Sequence, residues 1–267
     1  MTSAFTATPG VDVISTSVDI PTLGLLAVNA FVLHGAEPVL VDTGTGAEAG
    51  DFMATLGSVI DPKDLRWIWL THTDFDHIGS LHTLLDANPQ LRVITSFAGV
   101  GIMGVSPASL PMDRVHLINP GQAITVGERT FTAVRPPIFD NPITTGFVDD
   151  RTGILFSSDC FGALLTAVPE AAADVDSDEL RAGQVRWATI DSPWVHGVDR
   201  AAFGRTLDEI RALDPAMVCS THLPPAPGKM LDFFAESLAM APDADPFVGP
   251  DQAFLETMLA SMGEPPA

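Results

Sequence analysis

Residues 66–80 read RWIWLTHTDFDHIGS, an apolar run followed directly by a dense polar cluster. Residues 66–70 have the composition of a buried β-strand, and the apolar residues Ile78, Leu81, Leu84 and Leu85 recur at helical spacing after the cluster. The polar side chains are therefore predicted to lie where a strand ends and a helix begins.

The cluster places two imidazoles and two carboxylates within six residues, namely His72, Asp74, Asp76 and His77. Carboxylates this close together repel each other unless a cation neutralises them. In a strand-to-helix loop, the first pair of side chains can face one point and the second pair a neighbouring point, so the loop can serve two metal ions. The alternative is a polar loop in which Asp74 or Asp76 caps the next helix. The density of ligand groups favours metal binding.

The pattern His-x-Asp-x-Asp-His resembles the metal-binding signature of the metallo-β-lactamase superfamily. Three supporting segments occur in the family's order: NAFVL…PVLVDTG with Asp42 before the motif, then GILFSSD with Asp159, and then VCSTH with His222. The resemblance extends from about residue 20 to residue 225. It implies an α/β fold of the αββα sandwich type, and it gives Asp42 a structural role beside the metal ligands.

The superfamily's third histidine, expected between the motif and Asp159, is missing from that interval. The segment PPIFDNPITTGF instead offers Asp140, separated by 62 residues from His77 and by 18 residues from Asp159. Together with the following ILFSSDCFG, this placement resembles the flavodiiron branch of the superfamily. Asp140 is therefore a candidate ligand in an altered position, and an ordinary turn aspartate is the alternative.

The resemblance implies a specific distribution of ligands between two metal ions. One ion takes His72, Asp74 and Asp140, the other takes Asp76, His77 and His222, and Asp159 bridges them. Three imidazoles and four carboxylates form a harder and more anionic set than zinc sites usually have, so iron is favoured, with manganese as its substitute and zinc behind both. Asp159, as the bridging ligand, and Asp76 are the candidate catalytic residues.

Several side chains near these residues in the sequence are candidates for the surroundings of the site. Phe75, Phe139, Phe161 and Trp194 would line an apolar pocket, with an ordinary place in the core as the alternative. His196, in PWVHGVD, is a candidate proton donor, and a surface histidine at the start of a helix is the alternative.

A diiron pair would bind or reduce dioxygen, peroxide or nitric oxide, as the resemblance to flavodiiron proteins implies. Those enzymes carry a fused flavodoxin-like domain, whereas only 45 residues follow His222, so we expect no flavin in this chain and a separate redox protein as electron donor. Two alternatives stay open. One is a zinc-dependent hydrolase of an ester, thioester, lactone or phosphoester. The other is a metal-bound binding protein without turnover.

The composition limits the partners and the domain organisation. The chain has 13 basic and 34 acidic residues, and its net charge of −21 disfavours binding to nucleic acids and anionic membranes. We expect a cytoplasmic protein without a membrane-spanning segment. The prediction is one domain over residues 1–267, with a core at about 20–225 and a helical tail at about 227–262.

Two segments have less regular patterns. Residues 165–185 are acidic and rich in alanine, which indicates a mobile or partly helical insertion. Residues 251–262 form an amphipathic helix, which we expect to dock on the protein's own core, with a homodimer contact as the alternative.

Overall fold

The computed structural model describes residues 2–105 and 109–262, and its framework is a pair of β-sheets. The first sheet runs in chain order through β1 (Ser3–Thr8), β2 (Val11–Ile20), β3 (Gly24–Leu33), β4 (Val39–Val41), β5 (Trp67–Trp69), β6 (Arg92–Thr95) and β7 (Val115–Leu117). The second sheet contains β8 (Ala123–Val126), β9 (Arg129–Val134), β10 (Gly146–Asp149), β11 (Ile154–Phe156), β13 (Met217–Cys219) and β14 (Ala226–Pro227). A short strand, β12 (Leu164–Leu165), pairs with β3.

Helices cover the outer face of each sheet. Helices α1 (Ala49–Val59), α2 (Leu81–Ala87) and α3 (Phe97–Gly104) share a hydrophobic cluster with the first sheet. Helices α4 (Ser177–Asp191), α5 (Arg200–Arg211) and α6 (Leu231–Met240) share another with the second sheet. The layers are therefore helix, sheet, sheet, helix, which confirms the predicted αββα sandwich.

Aromatic side chains fill the space between the two sheets. In β9, alternate residues are buried, as expected for a strand with one face on the core. Phe131 of this strand packs against Trp69 of the first sheet with ring centroids 6.2 Å apart, and Phe147 of β10 packs against the same Trp69 at 4.3 Å. These contacts join the two sheets through their buried faces.

The structure confirms most of the predicted elements, including helical structure in the acidic segment at residues 165–185. Within residues 165–185 the chain enters α4, a 15-residue helix, so the prediction of a partly helical segment is confirmed. The acidic residues that suggested a loop instead stabilise the N-terminus of this helix. The Asp176 side chain accepts hydrogen bonds from the backbone N–H groups of Asp178 and Glu179, and carboxylates are favoured at this end of the helix dipole.

The amphipathic tail forms a helix, α7 (Gln252–Met262), but it does not dock on the core. Leu255 and Leu259 are 40% and 56% exposed. The expected burial of this helix against its own domain was therefore wrong, and a contact with a second copy stays a prediction. Within the part of the chain that the structure describes, no helix has the length and apolar character needed to cross a membrane.

Candidate metal centre

The candidate ligands lie on segments that follow the ends of neighbouring strands. The motif follows β5, Asp159 follows β11 and His222 follows β13. Because β11 and β13 are parallel, their carboxyl ends meet at the same edge of the second sheet. Asp140 reaches this edge from the segment between β9 and β10, which is held to the motif by a hydrogen bond from Thr145 N to Thr71 O at 2.8 Å.

The structure brings all seven sequence-predicted ligands together. They form three overlapping groups, in each of which the possible ligand atoms lie within 4.8 Å of one another. The groups are His72, His77 and Asp159; Asp76, His77 and His222; and His72, Asp74 and Asp140. The second and third groups correspond to the two halves of the ligand set expected from the sequence.

The carboxylate of Asp159 lies between the three imidazoles. Its Oδ2 atom is 3.3 Å from Nε2 of His72, whereas its Oδ1 atom is 3.3 Å from Nε2 of His77 and 3.4 Å from Nε2 of His222. The Thr221 hydroxyl donates a hydrogen bond to Oδ1 at 2.7 Å and fixes the orientation of the carboxylate. Each oxygen of Asp159 thus faces a different half of the site.

The histidine rings are held by the nitrogen that points away from Asp159. Nδ1 of His77 lies 3.0 Å from Oδ2 of Asp42, and Nδ1 of His222 lies 2.7 Å from the backbone oxygen of Ala27. Since these oxygens accept, Nδ1 is a donor in both rings, and Nε2 is the nitrogen left to bind a metal ion. The buried Nε2 atoms of His72 and His77 have no hydrogen-bond partner among the described residues. This donor set fits metal ions.

Asp42 lies beside the candidate ligands rather than among them. Its carboxylate accepts hydrogen bonds from the backbone N–H of Thr71 at 2.8 Å and from the Thr71 hydroxyl at 2.7 Å, in addition to the one from His77. The Thr71 hydroxyl in turn lies 3.1 Å from Nδ1 of His72. A single buried carboxylate therefore orients imidazoles in both halves of the site.

Three residues close to the candidate ligands have strained backbone conformations. Asp42, Ser158 and Phe161 have positive φ angles of 57°, 55° and 71°, which non-glycine residues rarely adopt. Ser158 and Phe161 flank Asp159 closely in the chain, and such strain is found preferentially at functional sites.

Asn29 holds the loop that carries His222, and sequence reasoning missed it. Its buried side-chain amide donates to the backbone oxygens of Ser220 at 3.1 Å and Leu223 at 2.8 Å. The signal was available in the sequence, because Asn29 is the one polar side chain in the apolar strand GLLAVNAFVL.

Asp140 lies on the open side of the site. Its neighbour Asn141 donates a hydrogen bond from Nδ2 to Oδ1 of Asp74 at 3.0 Å, so the turn that carries Asp140 also orients Asp74. Partial burial, followed by the negative charge of Asp159, raises the pKa of Asp140 to about 7. In the metal-free chain, the environment of Asp140 therefore disfavours its ionised carboxylate.

Asp191 is a further acidic residue at the site that sequence reasoning missed. A carboxylate oxygen of Asp191 lies within 4.8 Å of oxygens of both Asp140 and Asp159. Burial, followed by the charges of those two residues, raises the pKa of Asp191 to about 8. No spacing rule connects Asp191 to the motif, since it is brought to the site by α4.

The four aromatic residues predicted to line an apolar pocket lie in different environments. Phe75 is 88% exposed, so its assignment to an apolar lining was wrong. Phe161 is fully buried against Phe234, which supports the alternative of an ordinary core residue. Phe139 and Trp194 pack on each other with ring centroids 5.1 Å apart, and the Trp194 indole N–H donates to the backbone oxygen of Phe139 at 2.8 Å.

His196 lies in the short 3-10 helix Pro193–Gly197, between α4 and α5, and is half-buried. Its Nε2 atom is buried and has no hydrogen-bond partner among the described residues. The surface position considered as the alternative is therefore only partly right, and a role as proton donor stays a prediction.

A sequence profile described as the metallo-beta-lactamase superfamily matches residues 23–222. The chain belongs to this superfamily. The match spans the motif and every other candidate ligand up to and including His222, in agreement with the sandwich fold and the position of the site at the strand ends.

The sequence of this chain is similar to those of flavodiiron proteins. It is 26% identical over 202 residues to the rubredoxin-oxygen oxidoreductase of Megalodesulfovibrio gigas, a match that covers 73% of this chain and 48% of that protein. It is 32% identical over 149 residues to a type A flavoprotein of Rhodobacter capsulatus, which covers 51% of this chain and 32% of the relative. The chain spans about half the length, or less, of these curated relatives.

Solved structures share the fold. The rubredoxin oxygen:oxidoreductase from Desulfovibrio gigas superposes with a TM-score of 0.78 at 19% identity, over 92% of this chain and 63% of that one. The flavodiiron protein from Giardia intestinalis superposes with a TM-score of 0.70 at 15% identity, over 91% of this chain and 59% of that one. In both cases the matched region is the metallo-β-lactamase fold.

Proposed function

We propose that this chain holds two metal ions, with iron favoured, and that it binds or reduces dioxygen, peroxide or nitric oxide with electrons from a separate redox protein. The observation that carries the proposal is the position of Asp159, whose two carboxylate oxygens face the Nε2 atoms of His72 on one side and of His77 and His222 on the other. A carboxylate in this position suits a bridge between two cations.

The proposed ligands divide between two metal positions. His72, Asp74 and Asp140 belong to the first, Asp76, His77 and His222 belong to the second, and Asp159 belongs to both. Four carboxylates neutralise two divalent ions almost completely. This charge and the share of oxygen donors support iron or manganese over zinc.

One side of the site is buried and the other is exposed to solvent. His72, His77 and His222 are each 1% exposed, so water is excluded from the imidazole side. Asp140 is exposed, so this side of the site faces solvent. When bound, an iron pair supplies two electrons and open coordination positions to a small oxidant. The protein residues hold the imidazoles in a fixed orientation while that exchange takes place.

The names of the relatives support the choice of reaction. One is a rubredoxin-oxygen oxidoreductase, and another, from Clostridium acetobutylicum, is named a flavo-diiron protein and is 38% identical over 71 residues. By analogy, the proposed electron donor is a small redox protein of the rubredoxin class or a flavoprotein.

Metal analysis and oxygen consumption test the proposal together. The protein should be purified without added metal, analysed for iron, manganese and zinc, reduced anaerobically, and then mixed with oxygen or nitric oxide. We expect about two iron ions per chain and an absorption or resonance signal that changes on oxidation, with consumption of the gas. Stoichiometric zinc together with esterase or lactonase activity would instead establish a hydrolase, and bound metal with neither activity would establish a binding protein.

A further inference from the structure

Asp191 adds a carboxylate to the candidate metal centre from outside the motif. It is the last residue of α4, and one of its oxygens lies within 4.8 Å of oxygens of Asp140 and Asp159. The other half of the site, formed by Asp76, His77 and His222, is a separate group. Asp191 therefore belongs to the side of the site that contains Asp140.

Helix α4 is fixed firmly against the segments that carry the other ligands. The buried Gln184 amide donates from Nε2 to the backbone oxygen of Phe161 at 3.1 Å. The ring of Trp187 lies edge-on to the His222 ring with centroids 4.9 Å apart. At Gly183 an added Cβ would lie 2.3 Å from the backbone oxygen of Leu164, so helix and strand are in direct contact. Asp191 is therefore positioned by a packed helix and not by an independent loop.

The position is unfavourable for a carboxylate in the absence of a cation. The C-terminus of a helix carries partial negative charge, and the last turn of α4 contains no basic residue. Within residues 2–105 and 109–262, Asp191 forms no ion pair with lysine or arginine, and its hydrogen-bond donor is the Ser192 hydroxyl at 3.1 Å. Two further carboxylates face it, and a cation is the group that would offset this repulsion.

A second observation on the same side of the site also indicates a ligand. The His72 side chain is 99% buried, and its Nε2 atom has no hydrogen-bond partner among the described residues. This atom faces Oδ2 of Asp159 at 3.3 Å, and His72 belongs to the group that contains Asp74 and Asp140. A buried nitrogen acceptor without a donor costs free energy unless a proton donor or a metal ion satisfies it.

We propose that Asp191 is an additional carboxylate ligand of the metal position formed by His72, Asp74 and Asp140. The inference rests on the two-metal centre proposed above and adds to it. With Asp191, this position has one imidazole and four carboxylates, one of which is the shared Asp159. The other position has two imidazoles and two carboxylates, again counting Asp159.

The two positions therefore select different metals. Carboxylate-rich sites suit manganese, whereas imidazole-richer sites suit zinc and iron. With both metals present, Mn(II) occupies the Asp191 position and Zn(II) occupies the His222 position. Removal of Asp191 lowers the affinity of the first position for Mn(II) and leaves zinc at the second position unchanged.

Competitive metal loading tests this assignment without relying on activity. Metal-free wild type and the variants Asp191→Asn, Asp191→Glu and Asp178→Asn are titrated with Mn(II) in the presence of one equivalent of Zn(II). Free Mn(II) is measured by electron paramagnetic resonance, and bound metals are measured by mass spectrometry. Asp178 is the matched control, because it is an exposed carboxylate in the first turn of the same helix.

We expect Asp191→Asn to weaken Mn(II) binding at least about tenfold, Asp191→Glu to restore part of it, and Asp178→Asn to behave as wild type. Unchanged Mn(II) affinity in Asp191→Asn would overturn the role of Asp191 while leaving the two-metal centre intact. A wild-type chain that does not bind two ions would refute the two-metal centre itself, and the assignment of Asp191 with it.

Circular dichroism establishes whether the Asp191→Asn variant is folded. Should it be unfolded, wild-type crystals soaked with Mn(II) answer the same question. An anomalous peak within about 2.5 Å of the Asp191 carboxylate supports the proposal. A peak at His72 and Asp140 without contact to Asp191 overturns it.

Discussion

The carboxylate of Asp42 accepts a hydrogen bond from Nδ1 of His77 at 3.0 Å, and both side chains are 1% exposed. This contact fixes the tautomer of His77, because a carboxylate acceptor requires the proton on Nδ1 and leaves Nε2 free to bind a metal. Asp42 also accepts from the Thr71 hydroxyl, which lies next to the His72 ring.

Replacement of Asp42 by asparagine should weaken metal binding about 10- to 100-fold without removing a ligand. The asparagine NH₂ group favours the opposite His77 tautomer, in which Nε2 carries the proton. Metal affinity and the imidazole ¹⁵N shifts measure the effect. The control is Asp12→Asn, which alters a similar carboxylate–imidazole pair, Asp12 with His34 at 2.7 Å, away from the site. Equal affinities of Asp42→Asn and wild type would contradict the assigned role.

Gly162 lies where the Asp159 segment passes against Trp187 and His222. An added Cβ would lie 2.6 Å from Trp187 Nε1 and 2.7 Å from His222 Cβ, so neither neighbour can remain in place. Gly162→Ala should lower the free energy of unfolding by about 1–3 kcal/mol and should also weaken metal binding.

A glycine without such neighbours provides the matched control for this substitution. Gly204 lies within α5, and an added Cβ there would meet no atom within 4 Å. Gly204→Ala should stabilise the protein by about 0.4–1 kcal/mol, because alanine favours the helix. Urea denaturation of both variants measures the two effects, and a loss of stability in Gly204→Ala equal to that in Gly162→Ala would refute the steric explanation.

Removal of the metal ions should make the stability of the protein dependent on pH between about 6.5 and 8. Burial and neighbouring charges raise the pKa of Asp140 to about 7 and that of Asp191 to about 8. Burial opposes the charge on His77, but Asp159 and Asp42 raise its pKa well above the usual value.

In each of these three groups the folded state binds the proton more tightly than the unfolded state does. The resulting stabilisation is largest at low pH and is lost as the pH rises through the folded-state values. The melting temperature of chelator-treated protein should therefore fall from pH 6.5 to pH 8. Metal-loaded protein should lack this decrease, and a metal-free melting temperature that stays level or rises would contradict the expectation.

The fold was predictable because several short segments agreed with one another. The strand-to-helix position of HTDFDH, the apolar strand at residues 24–33 and the strand ends at Asp159 and His222 all fit one sandwich. Local patterns specified these elements because their apolar faces have the period of a strand or a helix. All seven predicted ligands lie close together for the same reason, since each follows or flanks a predicted strand.

The residues that were missed reach the site through tertiary packing. Asp191 lies at the end of a helix whose acidic N-terminus suggested a loop, and its proximity to Asp159 depends on how α4 packs against the second sheet. The assignment of Phe75 failed for a related reason, because proximity to the ligands in sequence did not determine which way the side chain points. Neither the burial nor the direction of a loop side chain follows from periodicity.

Substitutions of Asp140 test whether this residue is a ligand of the first metal position. Asp140→Ala removes one oxygen donor from the group with His72 and Asp74, and it should lower the affinity for one of the two ions at least about tenfold. Asp140→His replaces the carboxylate by an imidazole. This variant should retain two ions but shift the preference from manganese or iron toward zinc, because imidazole is the softer donor.

Bound metal is measured by mass spectrometry after loading with an equimolar mixture of manganese, iron and zinc. Asp150→Ala is the control, since Asp150 is an exposed aspartate in the turn after β10, at the end of that strand opposite to Asp140. If Asp140 is an ordinary turn residue, Asp140→Ala will retain both ions at wild-type affinity, and Asp140→His will have the same metal preference as wild type. A loss of one ion in Asp140→Ala together with a gain of zinc in Asp140→His requires Asp140 to be a ligand, because a turn residue would not alter which metal is bound.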